Sequence, residues 1–129
     1  ELINTPIHYT PYSLNSKGHY SPAVIHGDTV YISGQLPIDY LNGKTLPTGG
    51  IEEQTRQALK NLKYVLEQAG SSKEKVLKTT VYIPDIECWP TVNNIYSEFF
   101  GSHKLARTIV PTTTLHFGAL IEVEAVAAR

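Results

Sequence analysis

The sequence predicts an α+β fold: one mixed β-sheet with two helices packed on one of its faces. Three observations point there. Two β-branched runs are separated by a two-residue turn, two stretches carry apolar residues at helical spacing, and a last stretch alternates strictly between apolar and polar.

Ala23-Val24-Ile25-His26 and Thr29-Val30-Tyr31-Ile32 flank Gly27-Asp28, a favoured two-residue hairpin loop, so the first two strands form a β-hairpin. Asp39 to Gly50 holds Asn42-Gly43, Pro47 and Gly49-Gly50, turn formers without periodicity, and reads as a surface loop. From Thr55 onward, Ala58, Leu59, Leu62, Val65, Leu66 and Ala69 recur at helical spacing, and Gly70 stands where a left-handed glycine ends a helix. Val76 to Ile83 is a strand by its β-branched content, closed by Pro84-Asp85. A second helix starts near Asp85 or Trp89, with Trp89, Val92, Tyr96 and Phe99 on one face, Asn93 between them and Gly101 at its end. Arg107 to Val110 is a short strand halted by Pro111. In Leu120 to Ala127, Ile121, Val123, Ala125 and Ala127 oppose Glu122, Glu124 and Val126. With both helices on one face, the other face needs a cover, and a second copy of the chain is the economical one.

A chain of 129 residues with 41% hydrophobic and 18% charged residues fits a single globular domain spanning 1–129. No apolar run approaches the roughly 20 residues of a membrane-spanning helix, and no charged-then-apolar leader opens the given chain, so a cytoplasmic location is expected. A net charge of −1 offers no broad cationic footprint, which argues against a nucleic-acid partner. One cysteine, Cys88, and five scattered histidines give neither a disulfide nor a metal-ligand spacing. Cys88, beside Trp89 at a helix start, reads as a packed thiol.

Dinucleotide, P-loop and nucleophile-elbow motifs are all missing. What remains is a polar set on the late strands, Arg107 with Glu122 and Glu124, together with Ser33-Gly34-Gln35 after the hairpin. These groups come close if the two late strands pair. A guanidinium within a β-branched run needs an anion, which is either a ligand carboxylate held bidentately or a strand glutamate in a structural ion pair.

Six segments then occur in order: Tyr31-Ile32-Ser33-Gly34-Gln35-Leu36-Pro37, Glu67-Gln68-Ala69-Gly70, Val76-Leu77-Lys78-Thr79-Thr80-Val81-Tyr82, Val92-Asn93-Asn94-Ile95-Tyr96-Ser97-Glu98-Phe99-Phe100, Ala106-Arg107, and Ile121-Glu122-Val123-Glu124-Ala125-Val126-Ala127. Together they resemble the Rid (YjgF/RidA-type) family across nearly the whole chain. The resemblance implies a chorismate-mutase-like fold and a homotrimer with clefts between subunits. It also implies hydrolytic deamination of enamine and imine metabolites such as 2-aminoacrylate to 2-oxo acids and ammonia, with no cofactor. Carried over by position, Arg107 corresponds to the residue that binds the substrate carboxylate. Glu122, fifteen positions later, corresponds to the one that orients the attacking water. Tyr20, Ser33, Gly34 and Asn93 match supporting cleft residues. Ile109 stands where the best-studied branch has a cysteine and would contribute its backbone N–H, and the stretch from Phe100 to Arg107 is shorter than in that branch. Arg107 would also favour the ionised form of Glu122, and Glu124, on the same face, is the fallback base. A non-catalytic trimer that binds 2-oxo acids is the chief alternative. Endoribonuclease or translation-inhibitor activity is weakened by the near-neutral charge, and chorismate mutase activity by the lack of further cationic groups.

Overall fold

The computed structural model describes residues 2–4 and 18–129. In chain order the elements are β1 (Leu2–Asn4), β2 (Ala23–His26), β3 (Thr29–Gln35), α1 (Gly50–Gln68), β4 (Val76–Ile83), α2 (Trp89–Phe100), β5 (Ala106–Pro111) and β6 (Glu122–Ala128). The sheet runs β1-β2-β3-β6-β4-β5; β4 and β5 are parallel and every other pair is antiparallel, so the sheet is mixed as expected.

Alternation decides which side of each strand is buried. Val123, Ala125 and Ala127 of β6, with Thr79, Val81 and Ile83 of β4, face the helices and are shielded from solvent, while Glu122, Glu124, Val126 and Tyr82 lie on the opposite, open face. Ala58, Leu59, Leu62, Val65 and Leu66 of α1 fill the core against them. Gly70, at φ 80°, ends α1, and the Ser71 N–H reaches back to the Leu66 carbonyl at 2.8 Å. The open face carries Tyr31, 49% exposed, opposite Val126. Among the described residues, no helix is long and apolar enough to cross a membrane.

Four details differ from the sequence reading. Helix α1 begins at Gly50, five residues before the start of its apolar stripe, because Glu52 and Glu53 suit the positive end of the helix dipole without contributing to that stripe. The buried face of α2 is Val92, Ile95, Tyr96 and Phe100, with Trp89 and Phe99 at its margin. Ser33-Gly34-Gln35 does not follow the hairpin but belongs to it, continuing β3 through a register shift between Ile32 and Gln35. The late strands do not pair, since β4 lies between β5 and β6. A crossover through α2 joins β4 to β5 in parallel, which a period-two pattern cannot reveal.

Two buried polar residues of α1 fix the loops around the open end of the sheet. Asn61 donates from Nδ2 to the Leu36 and Ile38 carbonyls, both at 3.0 Å, and its Oδ1 accepts from Gln57 at 2.9 Å. Gln54 accepts the Leu120 N–H at 2.8 Å, just before β6 begins. Every buried polar group left unpaired would cost about 1–3 kcal/mol, so these bonds hold the loop after β3 and the loop before β6 in place.

Candidate functional site

Arg107 and Glu122 fall into two separate concavities. Arg107 pairs in register with Thr79, whose side chain faces the helices, and its own guanidinium lies over α2. Its Cζ sits 4.6 Å from the Trp89 ring centroid and 5.0 Å from that of Tyr96, and its Nη1 donates to Asn93 Oδ1 at 2.9 Å. Trp89, Asn93 and Tyr96 recur at the spacing of a single helix face, so α2 presents two rings and an amide to one cation. The Tyr96 hydroxyl is itself fixed 2.7 Å from Thr79 Oγ1, and burial pushes the Tyr96 phenol up from its ordinary value. Arg107, Asn93 and Tyr96 line a cavity of about 450 Å³ together with the short loop carrying His103 and Lys104. Ile109, two residues on, packs its side chain against the core.

Glu122 opens β6 on the other face. It lines a larger cavity of about 1230 Å³ with Tyr20, Ser33, Gly34, His116 and Phe117 among its walls. Gly34 lies directly against the Glu122 carboxylate, so a Cβ at that position would push the carboxylate from where it stands. Ser33 turns its hydroxyl away to the Ser21 carbonyl at 2.7 Å, and its N–H bonds the Pro22 carbonyl at 3.0 Å, so its role there is to shape the wall. Tyr20 is 58% exposed at the rim.

Burial first, then the neighbouring Glu124 charge, raises the Glu122 carboxyl above the ordinary carboxylate value, with His116 acting in the opposite sense. The expected help from Arg107 does not operate within one chain. Two strand spacings, about 10 Å, and the thickness of the sheet separate the two groups. An Arg107–Glu122 ion pair on the sheet is likewise absent: the ion pairs among the described residues join Arg56 to Glu52 and Glu98. Glu124 shares the open face but is engaged by the Tyr82 hydroxyl, which donates to its Oε1 at 2.7 Å. The Cys88 thiol is pushed up by burial and by Asp85, which keeps it protonated and a poor nucleophile.

The structure thus gathers Tyr20, Ser33, Gly34 and Glu122 in one place and Asn93 and Arg107 in another. Sequence reasoning missed Trp89 and Tyr96 as the platform of Arg107; their spacing around Asn93 on α2 was the available signal. It also missed His116 and Phe117, for which the sequence offers no motif.

A small α+β protein with an exposed arginine braced by a helix on one side of its sheet and a half-buried carboxyl on the other is the class these features define. The chain belongs to the YjgF/Rid family: the family model described as endoribonuclease L-PSP matches residues 10–129. A RutC family protein of Pyrococcus horikoshii is 44% identical over 110 residues, covering 85% of this chain and 86% of the relative. A human protein named 2-iminobutanoate/2-iminopropanoate deaminase is also 44% identical over 110 residues, covering 85% of this chain and 80% of the human one. The crystal structure of the YjgF gene product from E. coli superposes with a TM-score of 0.87 at 33% identity, covering 97% of this chain and 98% of that one. The fold is accordingly the chorismate-mutase-like α+β arrangement.

Proposed function

We propose that this chain hydrolyses reactive enamines and imines derived from amino acids to 2-oxo acids and ammonia, at clefts between the subunits of a homotrimer. The observation that carries the reading is the separation of Arg107 from Glu122. In one chain the Arg107 guanidinium and the Glu122 carboxyl open into different concavities, and the two can meet when the Arg107 side of one copy faces the Glu122 side of another. The name of the human relative at 44% identity supports the chemistry, and the exposed face around Tyr31 and Val126 supports the assembly.

In this reading Arg107, already oriented by Trp89, Tyr96 and Asn93, grips the substrate carboxylate through two parallel hydrogen bonds, and the Ile109 N–H completes the cradle. An enamine first takes a proton on carbon and becomes the imine. Glu122 then accepts a proton from a water molecule as its oxygen bonds to the imine carbon. That proton passes to nitrogen, giving a carbinolamine; Glu122 then takes the proton of the new hydroxyl and delivers it to nitrogen as the C–N bond breaks, so ammonia leaves and the 2-oxo acid remains. The imine carbon is already electrophilic, so positioning supplies most of the acceleration.

The test generates 2-aminoacrylate in situ with an amino-acid lyase and follows pyruvate and ammonia with and without the protein. Acceleration over the spontaneous rate is the expected result. Binding of pyruvate with no acceleration at any protein concentration would instead favour the non-catalytic 2-oxo-acid-binding trimer.

A further inference from the structure

We infer that Phe117 is a specificity-determining residue that selects imino acids with a large apolar, especially aromatic, side chain. This rests on the imine-hydrolysis reading of the Glu122 cavity and narrows its substrate class.

The first observation is conformational. The Gly118 N–H closes a turn onto the Leu115 carbonyl at 3.1 Å, and Phe117 occupies its third position at φ 60° and ψ 17°. Glycine or asparagine takes that left-handed geometry without strain, whereas a bulky side chain does not. Of the described residues other than glycine, two have positive φ, Lys44 and Phe117, and both line the Glu122 cavity. Lys44 lies in a tight turn, its N–H bonded to the Asp39 carbonyl at 3.0 Å. Phe117 has the same strain and a second cost. Its ring is 68% exposed, the most of any large apolar residue described. Strain and exposure together on one residue at a functional cavity point to a contact made with something outside the chain.

The second observation is what surrounds the ring. Its neighbour His116 meets it edge to face, with centroids 4.6 Å apart and planes at 78°, which sets its orientation. The same cavity is walled by Tyr20, Leu36, Ile38, Tyr40, Leu46 and Leu115. Its volume of about 1230 Å³ exceeds the roughly 300–1,000 Å³ of common small-molecule sites. An imino acid of three or four carbons leaves such a wall untouched. Continuity with Glu122, Ser33 and Gly34 makes the substrate side chain the fitting occupant.

Phe117→Asn removes the ring and suits the turn, so the loop should keep its shape and the protein should melt no lower than the parent. The measurements are the affinities for phenylpyruvate and pyruvate by calorimetry, and kcat/KM for the imines of phenylalanine and alanine generated by an amino-acid oxidase with catalase. The parent should favour the aromatic member of each pair. Phe117→Asn should reduce that preference by roughly tenfold or more, the scale of apolar discrimination in a pocket, while Phe117→Tyr retains it. A parent without aromatic preference, or an unchanged ratio in Phe117→Asn, overturns the inference. An unchanged ratio with weakened assembly by light scattering would show that the ring is a subunit contact, which also overturns it. Lack of turnover on any imine, with the phenylpyruvate preference intact and lost in Phe117→Asn, would overturn the hydrolytic reading and leave the selectivity standing.

Discussion

Arg107 stands inside a regular strand and is held by three groups of one helix, whereas Glu122 opens its strand among segments drawn from distant parts of the chain. The first surrounding is fixed by secondary structure: once α2 packs, Trp89, Asn93 and Tyr96 have nowhere else to go. The second depends on tethers, such as the Asn61 bonds to Leu36 and Ile38 and the Gln54 bond to Leu120, and it contains both left-handed non-glycine residues described. Under the proposed reading, the contrast matches two demands on one substrate. A carboxylate is common to every amino-acid-derived imine and suits a rigid fork. The side chain varies, and loops are where such variation is accommodated.

The largest expected effect tests the Glu122 half. Glu122→Gln should cut turnover by roughly 100-fold or more, the scale for a positioned base, while 2-oxo acid binding and assembly persist. Glu124→Gln, which loses the Tyr82 bond, is the comparison. If that variant is the inactive one and Glu122→Gln still turns over, the base is Glu124.

Arg107→Lys tests the other half. A point charge cannot reproduce a planar fork, so carboxylate affinity should drop by about 1.5–3 kcal/mol, with the melting temperature within a few degrees of the parent. Unchanged pyruvate affinity in calorimetry would remove Arg107 from the site. Trp89→Leu should have a smaller effect, because it removes one ring from beneath the guanidinium and leaves Asn93 and Tyr96. A cation–π contact of about 0.5–2 kcal/mol corresponds to about 2- to 30-fold weaker 2-oxo acid binding. No change would mean that the platform is ornamental to Arg107.

The smallest effect concerns pH. The Glu122 carboxyl is raised in the folded chain, so the stability it contributes is complete below its unfolded value and is lost as pH rises through the folded value. Glu122→Gln should therefore melt at or slightly above the parent at neutral pH, with the gap closing in acid. The acid limb of kcat/KM should also lie above the ordinary carboxylate range. A parent that melts clearly higher than the variant at neutral pH would mean that a cation, such as Arg107 of another copy, has reversed the sign.

The same contrast separates what could be read from the sequence from what could not. The hairpin at Gly27-Asp28, the α1 stripe ending at Gly70 and the alternation through β6 were legible because each repeats a local period or uses a turn residue. Arg107, Asn93 and Glu122 were legible as candidates through resemblance. The partner of β5 was not, since a strand's own pattern shows which of its faces is buried and never which strand lies beside it. Asn61 and Gln54 escaped because a polar residue on a helix reads as surface until its partners are known. Phe117 escaped because phenylalanine is among the last residues expected at a left-handed turn position.

One strand, β4, stands between the two halves, and this divides ownership of the chemistry. If each reactive cleft borrows its cation from one copy and its carboxyl from the next, two inactive proteins can repair one another. Arg107→Gln and Glu122→Gln subunits, unfolded together in equal amounts and reassembled at random into a closed ring, would leave about one cleft in four with both donors intact. The mixture would regain activity that neither preparation has alone. A population carrying both defective copies would be less impaired than one carrying either in duplicate.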